Sequence, residues 1–223
     1  MNLGGRAAAA VIILLGLATA GGAWLWLSRP PVRSYYDTRR LVIMAHARQT
    51  ADPVIILGDS VVDMAELPEL CGQTVLNAGV SGARTAAVEQ LARDVLTIYR
   101  PKLVIVAVGL NDAHRDAGTS DADFIQKYRA IVARARMTGA DVRATTIPPV
   151  GPAGIGRADE FNRARIAGLN ALIRQTGVPV LEVNAALANE DGIEPAVFTD
   201  DGVHPNARGY GVWKRVMAKA CAV

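Results

Sequence analysis

Short apolar runs of strand length alternate with amphipathic stretches of helix length along most of this chain, and that rhythm constrains its fold more than any other feature. The runs are Val54–Leu57, Thr74–Asn77, Leu103–Val108, Val142–Thr146 and Val178–Val183. Each is short and mostly apolar, which suits a strand buried on both faces, as parallel strands are. Between them, Ala83–Tyr99 places Val88, Leu91, Val95 and Ile98 on one helical face. Asp121–Met137 does the same with Phe124, Tyr128, Ile131, Val132 and Ala135, behind a Ser120-x-x-Asp123 capping pattern. Arg157–Gln175 and Asn206–Ala220 complete the helices, and Gly139 and Gly177 stand where C-caps belong. This alternation predicts a three-layer α/β/α domain over residues 51–223 with a five-stranded parallel sheet. Residues 30–50 read as a Pro30-Pro31 linker and a lead-in helix, Tyr35–Arg48.

Ligands of such sheets bind outside the carboxyl ends of the strands. The segments there are Gly58-Asp59-Ser60, Ala78–Gly82, Gly109-Leu110-Asn111-Asp112, Pro148–Gly156 and the stretch up to His204. They hold most of the polar and glycine residues with chemical potential. If Ser60 is a nucleophile, it needs a base, an acid to orient the base, and donors for an oxyanion. Of three histidines, His46 falls in the lead-in helix, and His114 has no acid at a fixed short spacing. His204 follows Asp201 by three residues, a spacing that lets one turn bring the carboxylate to the ring Nδ1 and leave Nε2 for Ser60. The Ser60 N–H, the Gly82 N–H and the Asn111 side-chain amide are the candidate oxyanion donors. Singly, each motif is commonplace: Gly-Asp-Ser as a strand-to-helix turn with a capping serine, Asn111-Asp112 as a loop, Asp201-x-x-His204 as a surface turn. Their joint placement at successive strand ends carries the argument.

Four blocks in order, Ile56-Leu57-Gly58-Asp59-Ser60-Val61, Asn77 to Thr85, Val108 to Asp112 and Asp201-Gly202-Val203-His204-Pro205, resemble the SGNH (GDSL-type) hydrolase family over residues 54–220. Val61 stands where the family's leucine usually does, a conservative departure. The resemblance implies a flavodoxin-like SGNH fold and a serine esterase acting on acyl, short-chain or acetyl, esters of carbohydrate or lipid alcohols. It implies Ser60 as nucleophile, Asp201 and His204 completing the triad, and Ser60, Gly82 and Asn111 in the oxyanion hole. Two other readings stand beside it: an O-acyltransferase passing the acyl group to a glycan hydroxyl, and a membrane-anchored accessory subunit with catalysis secondary. Asp59 and Asp112 read as loop-ordering residues. No metal or cofactor is expected, since no His/Cys/Asp/Glu cluster has ligand spacing and the glycines lack the G-x-G-x-x-G order.

The net charge is +3, and its distribution decides what it means. Residues 1–50 carry six arginines against Asp37 alone, whereas residues 51–223 carry 18 basic and 20 acidic residues. The body therefore offers no basic stripe for nucleic acid. With 51% apolar residues, the chain is not of disordered composition. Part of that fraction is Ala7–Leu27, 21 uncharged residues ending in Trp24 and Trp26. Residues 1–29 thus read as a transmembrane anchor with an interfacial aromatic belt, or as a signal peptide cleaved near Ala18-Thr19-Ala20. Arg29, Arg33, Arg39 and Arg40 follow this segment and, by the positive-inside rule, favour a cytoplasmic body; Arg6 and the cleavage pattern favour export, to a periplasmic or secreted location. The expected contacts are an ester substrate and, through residues 7–27, a membrane. Cys71 and Cys221 are both expected at the amino-terminal side of the sheet, where they either form a disulfide in an exported body or remain two thiols.

Overall fold

The structure is a computed structural model that describes residues 34–188 and 195–222. The segments proposed as anchor or signal peptide lie outside the described residues. Among the described residues no helix is long and apolar enough to cross a membrane.

The helix α1 (Tyr35–Ala47) leads into β1 (Val54–Gly58), whose five residues are all buried. A one-turn helix α2 (Ser60–Asp63) follows, then β2 (Glu69–Leu70) and β3 (Gln73–Gly79). The next units are α3 (Thr85–Ile98) with β4 (Leu103–Ala107), then α4 (Asp121–Met137) with β5 (Asp141–Thr145). The chain continues through α5 (Arg163–Arg174), β6 (Val180–Leu181), α6 (Val183–Leu187) and α7 (Ala207–Ala218). The sheet order is β2-β3-β1-β4-β5-β6, with every pair parallel except β2 and β3. Right-handed crossovers put α3, α4 and α5 on one face and α2 on the other. Contacts agree: α3 packs on α4, α4 on α5, and α6 on α7. The Tyr210 hydroxyl donates to the Val61 carbonyl, which brings α7 to the α2 side.

The expected five-stranded sheet thus has six strands. The five parallel ones are those expected, and the sixth, β2, is a two-residue antiparallel edge. Its hairpin turns on Cys71 and Gly72, both at positive φ (55° and 71°), the geometry of a tight primed turn. So short a strand, beside Pro68, carries no periodicity. Two other boundaries move. The expected helix Arg157–Gln175 begins at Arg163, because the Asn162 side chain caps it by accepting from Arg165 N. The expected strand Val178–Val183 is reduced to Val180–Leu181, and Val183 opens α6. Gly139 and Gly177 take positive φ at their helix ends, as expected of C-caps.

The parallel strands β3-β1-β4-β5-β6 reproduce the order in which connections leave β1 and β4 in opposite directions. That reversal opens a crevice at their carboxyl ends. The core around them is continuous, with Ile55, Leu57, Ile105, Phe124, Leu169 and Trp213 among its buried side chains. On the opposite side of the sheet, Cys71 and Cys221 are joined in a disulfide that ties the β2–β3 hairpin to the end of the chain's last helical turn.

Candidate active site

The register sets Gly58 beside Gly79 on one side and Ala107 on the other. The three adjacent strands therefore end level, and Ser60, Gly82 and Asn111 follow within a few residues of the same edge. The turn out of β1 is tight. A Cβ on Gly58 would lie 2.2 Å from Val62 Cγ2 and 2.7 Å from the Ala107 carbonyl, and one on Gly79 would lie 2.2 Å from Asp63 N. Only hydrogen at both positions lets α2 fold back against the strand ends. Asp59 caps α2 by accepting from Val61 N at 3.1 Å. Ser60 thus occupies the first helical position, where the helix supplies no acceptor for its own N–H.

His204 Nε2 lies 2.8 Å from Ser60 Oγ, and His204 Nδ1 lies 2.5 Å from Asp201 Oδ2. The other carboxylate oxygen of Asp201 accepts from Val203 N (2.8 Å), His204 N (2.9 Å) and Thr199 Oγ1 (2.5 Å). Burial pushes the Asp201 carboxyl up, but the hydrogen bonds from Thr199, His204 and Val203 outweigh it and hold it well below the usual range. An ionised Asp201 fixes the proton on Nδ1 and leaves Nε2 as acceptor from the serine hydroxyl. Asp201 and His204 are only partly buried, so both remain within reach of solvent and substrate. The loop before α5 packs on theirs: Gly151 N donates to Gly202 O, and Arg157 N donates to Asp201 O, each at 2.7 Å.

Gly82 takes φ +77°, and its N–H has no partner among the described residues. The Asn111 Nδ2 donates to Ala83 O at 3.1 Å, which uses one amide hydrogen and leaves the second. Asp59 and Asp112 are both buried and bind backbone across loops. Asp59 also accepts from Leu110 N (3.3 Å), and Asp112 accepts from both Thr85 N and Thr85 Oγ1 (2.8 Å each). Thus the loops after β1, β3 and β4 are stitched together. Burial raises the Asp59 carboxyl to about 6, despite the N–H groups of Val61, Leu110 and Gly109 that favour its charge. Asp112 is also raised by burial, against its Thr85 hydrogen bonds.

His46 is exposed on α1. His114 lies edge-on to Phe161, with Nε2 3.4 Å from Glu160. Among the described residues no group of His, Cys, Asp and Glu side chains is placed to hold a metal ion. Sequence spacing missed Thr199, two residues before Asp201, although a hydroxyl opening a turn is a recognisable partner for an aspartate. It also missed Asp63 and Arg39, which lie beside the Gly82 loop.

A family model for GDSL-like lipases and acylhydrolases matches residues 56–212. The chain belongs to that family. Solved structures of similar fold include a lipase/acylhydrolase from Enterococcus faecalis, 21% identical with a TM-score of 0.65, over 76% of this chain and 95% of that one. A GDSL-like lipase from Bacteroides thetaiotaomicron is 17% identical with a TM-score of 0.68, over 84% and 98%. A catalytic mutant of an acetylxylan esterase from Geobacillus stearothermophilus is 15% identical with a TM-score of 0.63, over 78% and 95%. No curated protein matches the sequence. This acylhydrolase therefore shares its architecture with proteins from which its sequence has diverged widely.

Proposed function

We propose that this acylhydrolase is a serine esterase that cleaves short acyl esters, acetyl among them, from carbohydrate or lipid alcohols through an acyl-enzyme on Ser60. The observation that carries the reading is the unbroken chain Ser60 Oγ, His204 Nε2, His204 Nδ1 and Asp201 Oδ2, at 2.8 and 2.5 Å. As Ser60 Oγ attacks the ester carbonyl carbon, His204 Nε2 takes the hydroxyl proton, and Asp201 stabilises the resulting imidazolium. The carbonyl oxygen becomes an oxyanion that accepts from the Ser60 N–H, the Gly82 N–H and the spare Asn111 amide hydrogen. One such donor is worth about 10²–10³ in rate. Collapse breaks the bond to the alcohol, which leaves with the proton from His204. Water, deprotonated by the same Nε2, then attacks the acyl-Ser60 and releases the acid.

The test is turnover of p-nitrophenyl acetate and labelling by a fluorophosphonate probe, on the full chain beside Ser60→Ala. Turnover falls at least ~10⁴-fold in the variant and labelling is lost. Labelling or turnover that survives in Ser60→Ala overturns the reading. Product analysis with a glycan acceptor present separates hydrolysis from transfer. We also propose that the body is exported, a reading supported by the Cys71–Cys221 disulfide, since such bonds persist in oxidising compartments. Alkylation of the unreduced protein taken directly from cells then finds both cysteines protected, whereas free thiols at both positions overturn export.

A further inference from the structure

The Gly82 donor is held from a direction that the triad does not use. Gly82 itself is exposed, and nothing lies within 4 Å of where its Cβ would be, so no packing of its own fixes the N–H. Its position comes from its neighbours. On the far side, Asn111 Nδ2 holds Ala83 O. On the near side, Ser81 donates twice to one oxygen of Asp63, from its N–H at 2.9 Å and its hydroxyl at 2.6 Å. Asp63 is the last residue of α2, three past Ser60, and its side chain is 8% exposed.

That carboxylate is itself held by α1. Arg39 Nε lies 2.9 Å from Asp63 Oδ1, and the Tyr35 hydroxyl donates to Oδ2 at 2.6 Å. The same guanidinium donates to the Gly79 carbonyl at 2.9 Å and to the carbonyl and side-chain oxygens of Asn77, each at 3.2 Å. Asn77 in turn donates to the carbonyls of Val62 and Ala65 and accepts from Gly79 N. Nucleophile helix, strand end and oxyanion loop are therefore joined through one Arg–Asp pair, with the arginine supplied from outside all three.

We propose that Asp63, held by Arg39, is a positioning residue for the Gly82 oxyanion donor, which makes α1 a part of the catalytic scaffold. The inference rests on the esterase reading above. A donor must stand about 2.7–3.1 Å from the oxyanion, and a displacement near 1 Å costs up to about 10²-fold in rate. Loss of the Asp63 tether withdraws an interaction made in the transition state, so kcat falls while KM stays.

The full chain, assayed with p-nitrophenyl acetate, supplies the test. Asp63→Ala lowers kcat by about 10–100-fold with KM within about twofold, Arg39→Ala lowers it about 10-fold, and Arg39→Lys recovers part of that loss. The pH midpoints of kcat/KM are unmoved, because the triad is untouched. Arg40→Ala is the control. It removes the neighbouring pair on the same helix, Arg40 with Asp94 at 2.6 Å, which ties α1 to α3 and not to the loop. It leaves kcat unchanged. Should Asp63→Ala not fold by circular dichroism, Ser81→Ala and Arg39→Ala decide by the same kcat criterion. Equal kcat losses in Arg39→Ala and Arg40→Ala, or an unchanged kcat without the Asp63 tether, overturn the inference alone. Absence of Ser60-dependent turnover in the wild type overturns the esterase reading and this inference with it.

Discussion

Asp59 precedes Ser60 and Asp201 pairs with His204, one on the serine arm of the candidate site and one on the histidine arm, and their carboxyls are driven in opposite directions. Asp59 is 2% exposed and meets backbone N–H groups at 3.1 and 3.3 Å; burial wins, and its carboxyl rises to about 6. The Asp201 side chain is 34% exposed and accepts four hydrogen bonds of 2.9 Å or less, so it stays ionised. The number and length of donors, set against burial, decide how tightly each aspartate holds its proton. The serine arm is rigid by exclusion: Gly58 and Gly79 leave no room for a side chain, and Asp59 spends its oxygens on backbone. The histidine arm is a half-open turn whose order comes from the carboxylate itself. One arm is shaped by packing and the other by charge.

Breaking the charge on the histidine arm has the largest expected effect. Asp201→Asn keeps the shape but loses the carboxylate that fixes the His204 tautomer, and kcat falls by about 10⁴-fold with little change in melting temperature. A loss below about tenfold would mean that Thr199 and the backbone suffice to orient the ring. On the serine arm the corresponding change is steric. Gly79→Ala drives a methyl group into the backbone of Asp63 and costs on the order of 3 kcal/mol, read as a melting temperature lower by about 6–12 °C. An unchanged melting temperature would show that α2 shifts freely.

The smallest effect separates the two aspartates by pH. Because Asp59 holds its proton more tightly in the folded protein than in the unfolded chain, its contribution to stability is fully present below about pH 4 and is lost as pH rises through about 6. Asp59→Asn removes that dependence. Measured by urea unfolding, the variant gains on the wild type by about 2–3 kcal/mol between pH 4 and pH 7. Asp201 has the reverse sign: its contribution is present above the ordinary carboxylate range and is lost only as pH falls below it. A constant difference between Asp59→Asn and wild type across that window would show that folding does not raise the Asp59 carboxyl.

Much of the candidate site was legible along the chain. Ser60, Gly82, Asn111, Asp201 and His204 follow strands whose apolar runs are plain in the sequence, and Asp201 and His204 lie close enough in sequence for one turn to join them. Helix α4 was legible to the residue, because Ser120 and the Phe124-to-Ala135 face define both its start and its length. The β2 edge was not, because its turn uses Cys71 at positive φ, where a glycine or asparagine would have marked it. Nor were the charge pairs. Read along the chain, Arg39 and Arg40 are flanking charges of an apolar segment that bear on membrane orientation. In the fold they are engaged by Asp63 and Asp94.

The sequence by itself determined the periodicities, and with them the order of strands and helices and the loops that carry the chemistry. Only the tertiary structure decided how tightly Asp59 and Asp201 hold their protons and which arginine pairs with Asp63 beside the Ser81-Gly82 loop. Periodicity and turn chemistry act between residues a few positions apart. Desolvation and ion pairing depend on what surrounds a group, and for Asp63 that is set by Arg39, 24 residues earlier, and Ser81, 18 residues later.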